Sequence, residues 1–253
     1  MSEQARRALF LVGAAGFAAI LLWGLLALPD AIDFEDFVSN YYLDVGVRDR
    51  NSFNLVSAVI FDYRGLDTMG EQLILFASVA AVALLLRMQR TETDDPPLDA
   101  LPGRDVPPTS GALQLAGTAL AGIALLTSLY VILHAQFTPG GGFQSGVLTA
   151  GGVLALYLAD EYDTFARLTS ERVLEQIEAA SAGAYIVVGL VGLVVAGSFL
   201  TNIGPMGTLG ELVSSGTIVG LNIIIWFEVT AGFLLIFSHF LEQTVRIHER
   251  TRR

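Results

Sequence analysis

Glu228 stands in the segment Leu-Asn-Ile-Ile-Ile-Trp-Phe-Glu-Val-Thr-Ala-Gly-Phe, about half-way along an apolar run long enough to cross a bilayer. A carboxyl group at that depth is costly unless it faces protein or water. It either binds a proton or, with oxygen partners, a sodium ion, or it hydrogen-bonds across a helix interface and fixes packing. His239 follows eleven residues later. On a helix it shares a face with Glu228, about 16 Å further along the axis. Only waters or groups from neighbouring chains could bridge that gap, so His239 is either a relay or an interfacial anchor.

A second constellation is Phe61-Asp62-Tyr63-Arg64-Gly65-Leu66-Asp67-Thr68-Met69-Gly70-Glu71. Gly65 allows the chain to break and turn into the membrane. Asp67 or Thr68 caps the helix that follows, and Glu71 lies one turn in from Asp67 on the same face. Arg64, Asp67 and Glu71 beside a membrane entry form either an ion vestibule or a set of caps and charge pairs.

The third is His134-Ala135-Gln136-Phe137-Thr138-Pro139-Gly140-Gly141-Gly142-Phe143-Gln144. Pro139 with Gly140, Gly141 and Gly142 makes a tight turn with exposed backbone, and Phe143 opens the next apolar block. His134 falls at a helix end, and an imidazole there is a candidate for proton exchange. No GK[ST] follows the glycines and no strand precedes them, so this is not a phosphate loop. A structural turn and a proton-handling mouth both fit.

The elements that position these groups are long and apolar. Hydrophobic residues make up 53% of the 253 and charged residues 15%, against roughly 25% charged in soluble domains. Blocks near 9–28, 67–86, 111–134, 144–159, 178–200 and 217–241 each approach the 20 or so residues of a span. The first is too long for a typical signal sequence and lacks a small-x-small cleavage site, so it is expected to remain as a helix. Residues 30–51 carry many acids and are expected to be a solvated loop. Residues 52–65 are helix-like but too short to cross. Glycine and alanine recur in the blocks, which lets helices approach closely.

The fold expected is therefore an all-α integral membrane protein of about six spans, with one short external interfacial or re-entrant helix at 52–65. Arg6 and Arg7, the 160–177 loop with Arg167 and Arg172, and the tail with Arg246, Arg250, Arg252 and Arg253 place both termini in the cytoplasm. The domains expected are 1–90, a two-span module; 91–108, a proline-rich acidic linker; and 109–253, a four-span module with a tail. The net charge of −11 excludes nucleic acid as a partner. Cysteine is absent, and the three histidines are widely separated, so no cofactor and no metal site are expected. No internal repeat marks a stand-alone secondary transporter.

Asp62-Tyr63-Arg64-Gly65-Leu66-Asp67-Thr68-Met69-Gly70-Glu71 resembles the signature at the C-terminal end of the large A-type chain of Mrp-type multisubunit Na⁺/H⁺ antiporters. His134 to Gly146, with Thr138-Pro139-Gly140-Gly141-Gly142-Phe143-Gln144-Ser145-Gly146, resembles the hallmark of the B-type (MnhB/MrpB) chain of the same complexes. Residues 1–90 look like the tail of the A-type chain and 105–245 like the B-type chain. Ser145 is a mild departure from the family pattern. The fusion itself is a larger one, because the B-type chain normally stands alone.

The resemblance implies a prokaryotic plasma-membrane component that works with other antiporter subunits to exchange Na⁺ for H⁺. It also implies roles for Arg64 and Glu71, and for His134, Pro139 and Phe143. In that reading Glu71 and Glu228 hold protons or cations, Arg64 sets the local potential, and His134 exchanges protons at the external mouth. The rivals are the same module in an ion-pumping hydrogenase or respiratory complex, and a scaffold component that bears no ions.

Overall fold

In a bilayer every backbone amide must be satisfied within its own segment, so apolar blocks of this length become helices. The computed structural model describes residues 3–27, 37–86 and 109–242, and the described part is helical throughout its long segments. The helices are α1 (Glu3–Leu26), α2 (Phe37–Asp49), α3 (Leu55–Ala58), α4 (Gly65–Leu86), α5 (Gly111–Leu133), α6 (Gly142–Leu168), α7 (Glu171–Ala196) and α8 (Thr217–Glu242). A π-helical turn, Val59–Tyr63, continues α3. Six of the helices are long and apolar enough to span: α1, α4, α5, α6, α7 and α8. This is an all-α, multi-pass membrane protein, as the apolar blocks require.

The chain divides into two compact units, Met1–Tyr41 and Tyr42–Arg253. The first contains α1. In the second, α8 is the hub: α4, α6 and α7 pack on it, and α5 packs mainly on α6. Its spanning window is 56% buried, whereas no other span exceeds 33%. Lipid offers no hydrophobic drive for this association, so close contact must supply it. Gly146 shows how: a Cβ there would stand 2.6 Å from Cβ of Val229, so glycine alone lets α6 lie flush on α8.

Several segments differ from what the sequence leads one to expect. Phe37–Asp49 is a helix where a solvated loop was expected. The acids there are interleaved with Val38, Tyr41, Tyr42 and Val45 at helical spacing, and charge at a helix surface does not unwind it. Residues 160–177 are not a loop either. α6 runs to Leu168 and α7 starts at Glu171, leaving Thr169 and Ser170 as the whole connection. Thr169 Oγ1 donates to the Phe165 carbonyl at 2.7 Å and closes the end of α6. The short helix expected at 52–65 is α3 with its π turn; it ends at Arg64, and Gly65 already begins α4. The acids of 30–36, the 91–108 linker and the arginine-rich tail beyond residue 242 lie outside the described residues.

Candidate ion-handling site

Two apolar cores fill the second unit, and a polar layer separates them. One core centres on Phe61, Tyr185, Ile218, Leu221, Ile225 and Val229; the other on Val79, Phe165, Leu174, Ala231, Leu234 and Leu235. Glu228 sits on α8 where the two cores meet and is 0% exposed. Gln72 of α4, itself buried, donates from Nε2 to Glu228 Oε2. Glu228 Oε1 has no hydrogen-bond partner.

A second carboxyl group enters the same layer from α7. Glu178 is 5% exposed, and its Oε1 is also without a partner. That oxygen lies 3.5 Å from where a Cβ on Gly232 would stand. Gly232 is one helical turn beyond Glu228 on the same face of α8. The absent side chain therefore makes the room that Glu178 occupies.

Glu71 is not part of this layer. It is exposed on α4, one residue and about 100° around the helix from Gln72. It continues an outward strip with Arg64 and Asp67, which form an exposed ion pair with Arg64 Nε 2.6 Å from Asp67 Oδ2. His239 does not face Glu228 either; its Nδ1 is 3.4 Å from Glu171 Oε1, at the start of α7.

Asp62, by contrast, turns inward. Arg50 Nε approaches its Oδ2 at 3.0 Å, and Asn202 Nδ2 donates to the same oxygen at 2.8 Å. The Arg50 guanidinium also lies over the Tyr63 ring, 4.7 Å from its centroid, while the Tyr63 hydroxyl donates to Asp49 at 2.6 Å. Arg50, Asp62, Tyr63 and Asn202 border a cleft of about 430 Å³, shared with Arg64, Phe199 and Leu200.

The glycine turn is held by two asparagines. Asn54 Nδ2 lies within hydrogen-bond distance of the Ala135, Thr138 and Gly140 carbonyls, at 2.8, 2.8 and 2.9 Å. Its Oδ1 caps α3 by accepting from the Ser57 amide. Asn222 Oδ1 accepts from the Gly142 amide at 2.9 Å. Side chains at Gly141 and Gly142 would collide with Asn222, at 2.5 Å from Oδ1 and 2.3 Å from its carbonyl oxygen. Gly140 has φ +121°, which an L side chain rarely adopts. Pro139, Gly140 and Gly141 link α5 to α6, Gly142 opens α6, and Phe143 packs against the Phe61–Tyr185 core. His134 caps α5, stacks on Tyr130 at 4.4 Å and has Nδ1 2.9 Å from the Tyr130 carbonyl.

Sequence reasoning missed Gln72, Glu178, Asn54, Asn202 and Asn222. A signal existed for Glu178. It falls on the stripe Leu174, Glu178, Ser181, Tyr185, Gly189, Gly192, which is the buried face of α7. Placing the start of that span at residue 178 left it at the edge of the apolar block, next to the charges of the expected 160–177 loop. For Asn54 no short-range pattern points to partners more than 80 residues away.

Known families divide between the two halves of the chain. Residues 112–235 match the family described as a domain related to the MnhB subunit of Na⁺/H⁺ antiporter, and residues 4–98 match MbhE, the E-type component of MBH. The two matched segments do not overlap. The MnhB-related segment contributes the glycine turn, Glu178 and Glu228, and the MbhE segment contributes Arg64, Glu71 and Gln72.

An uncharacterized protein of Methanocaldococcus jannaschii is 28% identical over 198 residues, covering 71% of this chain and 73% of that protein. A probable K(+)/H(+) antiporter A/B protein of Rhizobium meliloti is 23% identical over 178 residues; the match spans 62% of this chain and 17% of that longer protein. Among solved structures, a chain of the membrane-bound sulfane sulfur reductase, an archaeal respiratory membrane complex, superposes with a TM-score of 0.69 at 27% identity, over 95% of this chain and 100% of that one. A chain of the Mrp complex from Dietzia sp. superposes with a TM-score of 0.68 at 26% identity, over 100% of this chain and 27% of that one.

Proposed function

We propose that this chain is a membrane component of a monovalent cation/proton antiporter-type complex, contributing both to an ion path and to assembly with neighbouring subunits. The observation that carries the reading is Glu228, fully enclosed at the middle of the hub helix with one carboxyl oxygen unsatisfied. A carboxylate kept there at a cost of several kcal/mol is suited to a moving cation. The two families and the Mrp superposition support the same reading.

In this proposal the chain is organised as a module like the A-type tail over 1–90, a cytoplasmic linker over 91–108 and a B-type module over 109–253, with both termini cytoplasmic. The exposed strip Arg64–Asp67–Glu71 meets a neighbouring subunit and lines the approach. His134 serves the external mouth, and His239 with Glu171 the opposite end. Sodium is the cation proposed; the R. meliloti relative is named for potassium. The work is secondary transport and not catalysis.

One observation favours a second reading. The superposition on the sulfane sulfur reductase complex takes in the whole of one chain of it, which supports a reading in which this module serves a respiratory membrane assembly. The experiment is sodium-dependent dissipation of a pH gradient in everted vesicles carrying the complex. Glu228→Gln and Glu71→Gln should each abolish most of the exchange while the other subunits still co-purify. Normal exchange in both variants would leave a scaffold.

A further inference from the structure

Glu178 has no role in the path proposed above, yet it is the second of two enclosed carboxyl groups in one layer. Its Oε1 and Glu228 Oε1 are both buried and both without a hydrogen-bond partner. Chance burial of one such atom is ordinary, because a water can satisfy it. Two carboxyl groups on adjoining helices, with Gly232 one turn beyond Glu228 making space for the second, form a shaped oxygen site. Gln72 completes it from α4 by donating to Glu228 Oε2, which leaves Oε1 as the oxygen without a partner.

Charge balance decides what fits. The described charged groups nearest along α7 are Glu175 and Arg172, both exposed, and Glu171, which pairs with His239 of α8 two turns away from Glu178; Arg167 at the end of α6 is exposed as well. On α4 the charged strip of Arg64, Asp67 and Glu71 points outward. Among the described residues, then, no arginine reaches the layer. Two carboxylates enclosed between apolar cores cannot both remain ionised without a positive charge between them.

We propose that Glu178 and Glu228, with Gln72 orienting the latter, form an occluded site for one monovalent cation, H⁺ or Na⁺, shared between α7 and α8. The claim rests on the ion-path reading but is narrower, since it names a pair and a ligand. The two apolar cores flank the site, and in this proposal the cation is held between entry and release instead of lying in an open channel.

The test uses the purified complex and dicyclohexylcarbodiimide, which modifies protonated carboxyl groups in apolar surroundings, with the labelled residue found by peptide mass spectrometry. The proposal expects labelling at Glu178 or Glu228. If Na⁺ is the occupant, NaCl protects and choline chloride does not; if H⁺ is, labelling falls as pH rises and NaCl leaves it unchanged. In either case Glu178→Gln should shift the half-protecting Na⁺ concentration, or the proton concentration that gives half-maximal labelling, at Glu228 by about tenfold or more. No labelling at either residue, or labelling of Glu228 indifferent to Glu178→Gln, overturns the pair. Glu178→Asp, which keeps the charge, should restore protection and separates a binding defect from a folding defect. Loss of vesicle exchange with labelling and protection intact would instead count against the ion-path reading and leave the pair standing.

Discussion

Asn54→Ala should destabilise the bundle more than any other single polar substitution in the α3 region. The amide nitrogen has two hydrogens and three carbonyl acceptors within reach, at 2.8, 2.8 and 2.9 Å, so two buried hydrogen bonds are lost. The Oδ1 cap on Ser57 is lost with them. At about 1 kcal/mol for each buried bond and about 1 kcal/mol for the cap, the loss is about 3 kcal/mol. With roughly 2–4 °C per kcal/mol for a chain of this size, the melting midpoint in detergent should fall by about 6–12 °C. Asn54→Asp keeps the cap acceptor but sets a carboxylate oxygen against the same carbonyls, and should melt no higher than the alanine variant. The assay is thermal unfolding of the purified protein followed by tryptophan fluorescence. Were Asn54→Ala to melt within about 2 °C of wild type, the view that this side chain holds the Pro139–Gly142 turn against α3 would be wrong.

Gly142→Ala should lower expression and thermal stability sharply, since a Cβ there meets the Asn222 carbonyl at 2.3 Å, whereas Gly151→Ala, with nothing within 4 Å, should be neutral; the two melting curves make the comparison. Tyr185→Phe removes a hydrogen bond of 2.9 Å to the Gly65 carbonyl and should cost about 1–2 kcal/mol, measured by denaturant titration in detergent. Arg64→Ala breaks only an exposed pair and should change stability by less than about 0.5 kcal/mol. A large drop in vesicle exchange or co-purification despite that stability would place Arg64 at a contact with a neighbouring chain.

The spans were legible because each hydrophobic block is about as long as the bilayer is thick, and Glu228 stood out because it interrupts such a block. Arg64 and Glu71 could be picked as charged groups at a membrane entry, but not oriented. The step from Glu71 to Gln72 turns the chain by about 100°, and which of them meets α8 depends on how α4 is rotated in the bundle. Glu178 was obscured by the opposite error, a helix end assigned where charge begins. His239 shares a helix with Glu228 as expected, but its contact is decided by the antiparallel run of α7, which brings Glu171 to it. The asparagines were invisible for a plainer reason: Asn54 and Asn222 act on backbone atoms about 80 residues away, and no local periodicity encodes that pairing.

The hub position of α8 bears on how the protein is made. The ribosome delivers α4, α6 and α7 to the membrane before the helix they all grip, so until α8 arrives their inner faces have no common surface to close on. Gln72 and Glu178 must wait beside lipid or chaperone, and the insertion machinery must then accept a segment carrying a glutamate. The late entry of that one helix converts a loose set of spans into a finished bundle, and mutations that slow it should send the nascent protein to membrane proteases even when the mature form would be stable.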